Sequence, residues 1–263
     1  MSCLVMKFGG VSVSNAKNIL KIADIIIEKS KEYKKLVVVV SAMGKTTDKL
    51  LKLSKSINEN PPKREQDMLI SVGERISMSL LSMALQKKGK KSISFTGSQS
   101  GIITCSNHLD AKIIDVKPFR IIKALNDNNI VIVAGFQGVS LDKEITTLGR
   151  GGSDTSAVAL GVALNASIVE FYKDVDGIYL EDPKKNKDSI FYKNLTFEKA
   201  LKIIEKNKKK ILHPRCVKLA SENNISLKII NFKKFKKNKN KKKITIIKKE
   251  SFQKVSKNVY EII

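Results

Sequence analysis

Short apolar runs rich in β-branched residues alternate along this chain with segments of helical period. That alternation restricts the fold to a largely parallel sheet wrapped by helices. Val5–Phe8 reads as a first strand, and after a Gly pair Ala16, Ile19, Leu20, Ala23, Ile26 and Ile27 recur on one face of a helix. Leu36–Ser41, Ser92–Thr96, Ile130–Ala134, Ile168–Tyr172 and Ile225–Ile230 read as further strands. They are apolar through most of their length, as strands covered on both faces should be. Helices are expected over much of 65–88, 113–127, 154–165, 197–208 and 214–223, with loops at Asn58–Lys63 and Asp182–Asp188. A last short strand, Ile244–Ile247, follows a Lys-rich stretch over 233–243. No internal repeat is visible.

At 263 residues the chain can form one large α/β domain or two lobes. Its net charge of +25 raises the question of nucleic acid, because dense Lys and Arg bind phosphate backbones by releasing counterions. The distribution argues against it. Ten of the seventeen residues from Lys233 to Lys249 are Lys and none is acidic, so this one segment supplies two-fifths of the excess. No aromatic-rich stacking motif accompanies it, and a solvated Lys-rich surface and linker is the simpler reading. No apolar run approaches the roughly 18 to 20 residues of a membrane-spanning helix. The start, MSCLVMKFGG, lacks the basic and apolar regions of a secretory signal, so a soluble, cytoplasmic chain is expected. Cys3, Cys105 and Cys216 form no C-x-x-C, and His108 and His213 have no partners at metal-ligand spacing. Neither a disulfide framework nor a structural metal is expected.

Five segments carry chemistry. Lys7-Phe8-Gly9-Gly10 links a strand to a helix, where exposed amides, a close backbone and a Lys charge attract phosphate, although Gly-Gly after a strand is also the mark of a tight turn. It is neither a G-x-x-x-x-G-K-[ST] loop nor a G-x-G-x-x-G fingerprint. Gly149-Arg150-Gly151-Gly152-Ser153-Asp154 opens a helix with oriented amides, a guanidinium and a carboxylate together, the plainer alternative being a Gly turn with an N-cap. Ser41–Thr47 leaves the carboxyl end of a strand, where α/β sheets bind ligands. In Ser71–Ser77, Glu74 and Arg75 read equally as ligand contacts or as a surface pair. Lys173–Pro183 follows a buried strand and lacks the spacing of a calcium loop.

In this order the five segments resemble the catalytic domain of aspartate kinases, within the amino acid kinase family, over about residues 4–247. The family's K-F-G-G-T-S, S-x-G-E-R, G-F-x-G through G-R-G-G-S-D, D-V-D-G-I-Y and K-x-L-H-P appear here as KFGGVS, SVGER, GFQGVSLDKEITTLGRGGSD, DVDGIYLEDP and KILHP. The resemblance implies a three-layer α/β/α sandwich with a mostly parallel eight-stranded sheet. It also implies an aspartate lobe over about 1–150, a nucleotide lobe over about 151–247, and a short tail over 248–263. The implied activity is transfer of the γ-phosphoryl group of ATP, with Mg²⁺, to the β-carboxylate of L-aspartate, the first step toward lysine, threonine and methionine. Carried over by position, Lys7 with Gly9 and Gly10 would hold the transferring phosphates and Asp154 would orient Lys7. Arg150 would pair with the substrate α-carboxylate and Glu74 with its ammonium, while Ser41, Thr47, Phe136 and Ser153 complete that pocket. Lys173, Asp174, Tyr179, Lys184 and Lys210 would line the nucleotide site, and His213 would position backbone.

The acceptor carboxylate has a reference pKa near ~3.9 and is ionised at neutral pH, so no general base is required. Positioning and charge neutralisation would do the catalysis. Two departures stand out: Val11 replaces the family's Thr, and Lys173 stands where many bacterial members have Thr. Family members usually continue into paired regulatory domains, whereas about one more helix fits before Ile263. Feedback inhibition through this chain is therefore expected to be absent, and the oligomeric state, a homodimer included, stays open.

Overall fold

The computed structural model describes residues 3–183, 186–207, 211–235, 243–249 and 258–261. Strand β1 (Cys3–Phe8) runs into the Gly9-Gly10 turn, and helix α1 (Ala16–Lys29) begins after Asn15, whose side chain accepts the Asn18 N–H at 2.9 Å. Such a cap stabilises the first turn by about 1 kcal/mol. Strand β2 (Lys35–Val40) leads to α2 (Thr46–Ile57), α3 (Lys63–Ile70) and α4 (Val72–Lys87). Next come β3 (Ser92–Phe95), β4 (Ile102–Thr104), β5 (Ile113–Val116), α5 (Phe119–Asn126) and β6 (Ile130–Ala134). The hairpin β7 (Gln137–Ser140) and β8 (Ile145–Thr147) delivers the chain to α6 (Gly152–Ala163). Strands β9 (Ile168–Lys173), β10 (Ile178–Tyr179), β11 (Phe191–Tyr192) and β12 (Asn194–Leu195) follow. Helices α7 (Phe197–Lys206) and α8 (Pro214–Glu222) precede β13 (Leu227–Asn231) and β14 (Thr245–Ile247).

The main sheet has the order β12-β14-β13-β9-β1-β2-β6-β3, and only the β13–β14 pair is antiparallel. Because side chains alternate across a strand, β1 divides its residues between two cores. Leu4, Met6 and Phe8 pack with α1 and α4, whereas Cys3 and Val5 pack with α5, α6 and α8. These are the two helical layers of the expected α/β/α sandwich. Lys7 follows the parity of Cys3 and Val5, so its side chain emerges on the α6 face. Successive strands also diverge at β1, with β2, β6 and β3 to one side and β9 and β13 to the other. At such a switch point the loops at the carboxyl ends part and leave a crevice.

Several local expectations need correction. The helix expected over 113–127 begins only at Phe119, and Ile113–Val116 is strand β5. Pro118 accounts for this, since proline disfavours helical backbone in the residue before it. The helix expected over 65–88 is interrupted at Ser71, whose carbonyl accepts the Gln137 Nε2–H at 2.7 Å. Helix α2 was not anticipated; none of its residues is buried. Nor was the second sheet, β5-β4-β7-β8, whose short strands bury polar residues such as Thr104 and Thr146, joined by a 2.6 Å hydroxyl contact. The final helix expected in the tail falls mostly outside the described residues. By length and composition Lys63–Lys87 passes as a membrane span, but 56% of its apolar window is buried inside the protein. Contacts with α1, β2, β3 and β6 explain that apolarity.

Candidate active site

One cleft of about 250 Å³ opens at the carboxyl ends of β1, β2 and β6. Lys7, Gly10, Ser41, Thr47, Glu74, Phe136, Ser153 and Asp154 all line it, so residues as far apart as 7 and 154 meet there. Ala42, Gly44, Gly149, Gly151 and Gly152 line it as well.

The first wall is the end of β1. Gly10 sits so close to the loop after β2 that a Cβ there would lie 2.9 Å from the Ala42 carbonyl oxygen. The same two loops are stitched by hydrogen bonds from the Gly44 N–H to the Gly10 carbonyl and from the Ser41 N–H to the Phe8 carbonyl, each 3.1 Å. The second wall is the N-terminus of α6, a helix buried along nearly its whole length. Asp154 lies in its first turn, where the helix dipole favours a carboxylate. Its Oδ1 is 2.5 Å from Lys7 Nζ and its Oδ2 3.0 Å from Lys173 Nζ. Two lysines thus hold one buried acid. Burial alone would raise the Asp154 carboxyl, but the Lys173 and Lys7 ammoniums overcome it and hold it at about 2. Burial pulls the Lys7 ammonium below its ordinary value, with Asp154 opposing and Lys173 reinforcing that pull. The cluster therefore sets two lysines on one acid, with Lys7 and Asp154 on the cleft wall.

Glu74 forms the third wall, in the first turn of α4 and 2% exposed. Its Oε1 accepts the Ala42 N–H at 2.9 Å, while its Oε2 is buried with no hydrogen-bond partner. No ion pair joins it to Arg75 among the described residues, so the surface-pair alternative fails. Burial raises its carboxyl to about 8, moderated by the Ala42 amide and by Lys7. A buried acid with one oxygen unsatisfied is costly unless a donor arrives to meet it. Phe136 closes the floor at φ 71°, a region bulky residues rarely enter, and its carbonyl accepts the Leu148 N–H at 2.8 Å.

The remaining candidates lie outside this cleft or outside the described residues. Arg150 sits between two cleft-lining glycines, but its side chain is exposed and does not line the cavity. Gly9 lies beside Lys7, with its missing Cβ 3.8 Å from Nζ. Asp174 is exposed, and Tyr179 is half-buried with its ring edge-on to Phe191 at 5.1 Å. Lys173 was expected beside the nucleotide; it also pairs with Asp154. Lys184 and Lys210 fall on residues outside those described. His213 caps α8 by accepting the Arg215 N–H, and its ring fills the space that a Cβ at Gly151 would need. Val11 is half exposed and does not line the cleft. Sequence reasoning missed Asp67, fully buried in α3, which accepts from Thr147 at 2.5 Å and contacts His108 at 2.7 Å. No motif flags it, and its local sequence, Gln66-Asp67-Met68, gives no signal.

The amino acid kinase family model matches residues 2–231, and the chain belongs to that family. Within it the chain is similar to aspartokinases. It is 48% identical over 230 residues to the aspartokinase of Mycolicibacterium smegmatis, covering 87% of this chain and 54% of that protein. Among solved structures, aspartate kinase from Synechocystis matches with a TM-score of 0.82 and 38% identity, over 97% of this chain and 41% of that one. E. coli aspartokinase III in complex with aspartate and ADP shares the fold, with a TM-score of 0.82 and 23% identity over 94% of this chain and 65% of that one. The chain spans about half the length of the curated relatives it matches.

Proposed function

We propose that these residues catalyse transfer of the γ-phosphoryl group of ATP to the β-carboxylate of L-aspartate, giving 4-phospho-L-aspartate. One observation carries the reading: the cleft wall holds Lys7 paired with Asp154, backed by Lys173, and, apart from them, a buried carboxylate oxygen with nothing to bind. A phosphoryl group suits the first and an ammonium suits the second. Similarity to aspartokinases, one of which is known in complex with aspartate and ADP, supplies the substrate.

In this reading Lys7 and the Gly9-Gly10 amides stabilise the charge spread over the moving phosphoryl group. Asp154 holds Lys7 in place and opposes the downward pull of burial on its ammonium. Lys173 adds a second cation to the same cluster. Glu74 takes the substrate ammonium, and Ser41, Thr47, Phe136 and Ser153 shape the pocket. Arg150, exposed without substrate, meets the α-carboxylate at the mouth. Asp174 and Tyr179, with Lys184 and Lys210, serve the nucleotide in a second lobe over about 151–247. Among the described residues no group of three His, Cys, Asp or Glu could cage a metal. Mg²⁺ suits such a site because it is commonly held by substrate phosphates and water with few protein ligands. Bound there, it would neutralise phosphate charge.

Acting in the cytoplasm, the activity would open the route to lysine, threonine and methionine. Sub-millimolar lysine or threonine is expected not to inhibit these 263 residues, and titrating either into the assay checks this. The decisive test is hydroxylamine trapping of acyl phosphate with ATP, Mg²⁺ and L-aspartate. Hydroxamate formation that requires all three supports the proposal; its absence, or equal trapping with other carboxylate acceptors, rejects it.

A further inference from the structure

Arg215, in the first turn of α8, occupies a position that neither the motifs nor the cleft explains. Its guanidinium reaches elements far apart in sequence. Nη1 donates to the Leu148 carbonyl and Nη2 to the Ala111 carbonyl, each at 2.5 Å. Nη2 also donates to Glu261 Oε2 at 2.6 Å, and Nε donates to Glu261 Oε1. Asp110 lies 3.6 Å from Nη1 but is largely exposed. The fork of a guanidinium matches such a set of acceptors, which a lysine cannot do.

The acceptors are the frame of the Gly149–Asp154 loop. Leu148 immediately precedes the loop. Ala111 closes the Leu109-Asp110 stretch, against which Gly149 packs so tightly that a Cβ would lie 2.9 Å from the Leu109 carbonyl oxygen and 2.8 Å from Asp110 Oδ1. On the other side Gly151 packs on the ring of His213, whose Nδ1 accepts the Arg215 N–H at 3.4 Å. Both walls of the loop therefore meet at Arg215. Glu261 is itself anchored: it accepts from the Ile113 N–H at 2.7 Å and donates its own N–H to the Ile113 carbonyl at 3.0 Å. Val259 exchanges two hydrogen bonds with the Asn223 side chain, at 2.6 and 2.8 Å.

We propose that Arg215 is a positioning residue for the Gly149–Asp154 loop and that Glu261 is the counter-ion that keeps it there, so that docking of the 258–261 segment sets how tightly the amino-acid side of the cleft is organised. The kinetic part rests on the aspartate kinase reading; the structural part does not. Without Glu261 the largely covered guanidinium, its side chain 15% exposed, keeps only exposed Asp110 among the described residues for charge compensation, and its hold on Leu148 and Ala111 loosens.

The test uses the whole chain as wild type, Glu261→Ala and Arg215→Lys, read by amide hydrogen exchange and by hydroxamate kinetics. Exchange over residues 148–154 should rise roughly 10-fold in both variants while β1 and β2 stay protected, as expected of local rather than global opening. KM for L-aspartate should rise about 10-fold, with KM for ATP and kcat within about threefold, since loosened positioning acts on the subsite the loop builds. Unchanged exchange over 148–154, or equal acceleration in β1 and β2, would overturn the proposal. Should Arg215→Lys fail to fold, Glu261→Ala decides alone. An inactive wild type would sink the kinase reading, yet the exchange comparison would still decide the positioning role.

Discussion

Two buried carboxylates in this protein are each gripped by two lysines, and they have opposite consequences. Asp154 is held by Lys7 and Lys173. Glu170, fully buried in β9, accepts from Lys29 at 3.2 Å, Lys228 at 3.0 Å and the Tyr172 hydroxyl at 2.6 Å. Strand β9 feeds both clusters from opposite faces, because Glu170 and Lys173 differ in parity. Around Glu170 both oxygens are satisfied and the surroundings are side chains of the α1 layer, so the charges are locked into structure. Around Asp154 one of the two lysines, Lys7, lines a cavity together with the acid itself. Similar ionic composition therefore gives a structural tie in one place and a receptive site in the other; access to the cavity makes the difference.

Substitutions can break this contrast. The largest effect is expected at Lys7→Ala, which should lower kcat roughly 10²- to 10³-fold in the hydroxamate assay, the scale of losing one preorganised charge partner. The urea midpoint should move little, because Asp154 keeps Lys173. Glu170→Ala should do the reverse, destabilising by about 3 kcal/mol in urea unfolding because two lysines lose their shared partner, while kcat of the folded enzyme stays near that of wild type. If both variants lost activity and stability together, the division between structural tie and receptive site would be wrong.

Glu74 sharpens the comparison, since it is a buried acid with no lysine and with one oxygen left without a partner. Glu74→Gln should raise KM for L-aspartate by roughly 30-fold, about 2 kcal/mol of lost ammonium pairing. Its titration adds a pH signature. Its folded value of about 8 lies above the ordinary 4.5, so the stability it contributes is full below 4.5 and is lost as pH rises through about 8. Binding an ammonium requires the ionised form. Calorimetry in buffers of different ionisation enthalpy should thus show close to one proton released per L-aspartate bound near pH 6.5, vanishing in Glu74→Gln. Asp154 works in the opposite sense: its contribution is present above 3.8 and is lost as pH falls through about 2. The smallest effect belongs to Val11→Thr. Val11 is half exposed and outside the cleft, so kcat/KM should stay within about twofold, as for most surface changes.

Much of this was legible from residue order. The strands of the main sheet announce themselves because they are covered on both faces and so must be apolar throughout, and the helices against them show one apolar stripe. The second sheet was missed for the converse reason: β4, β7 and β8 are three or four residues long and bury threonines and Gln137 instead of a continuous apolar run. Helix α2 was missed because it buries none of its residues. In the cleft, the glycine-rich segments were readable because close backbone approach leaves a compositional mark. Asp67 and Arg215 leave none, since a single polar residue acting at long range has no local pattern.

Taken by itself, the sequence determined the parallel α/β architecture, the glycine-rich segments that meet at the cleft and the residue types available there, because periodicity and glycine spacing are local properties. Only the tertiary structure decided that Lys173 joins Lys7 on one carboxylate, that Glu170 three residues earlier is closed off from any ligand, and that Arg215 ties Glu261 to the loop before Asp154. Those outcomes depend on which face of a strand a side chain takes and on which distant segment packs against it, and both are set when the sheet assembles.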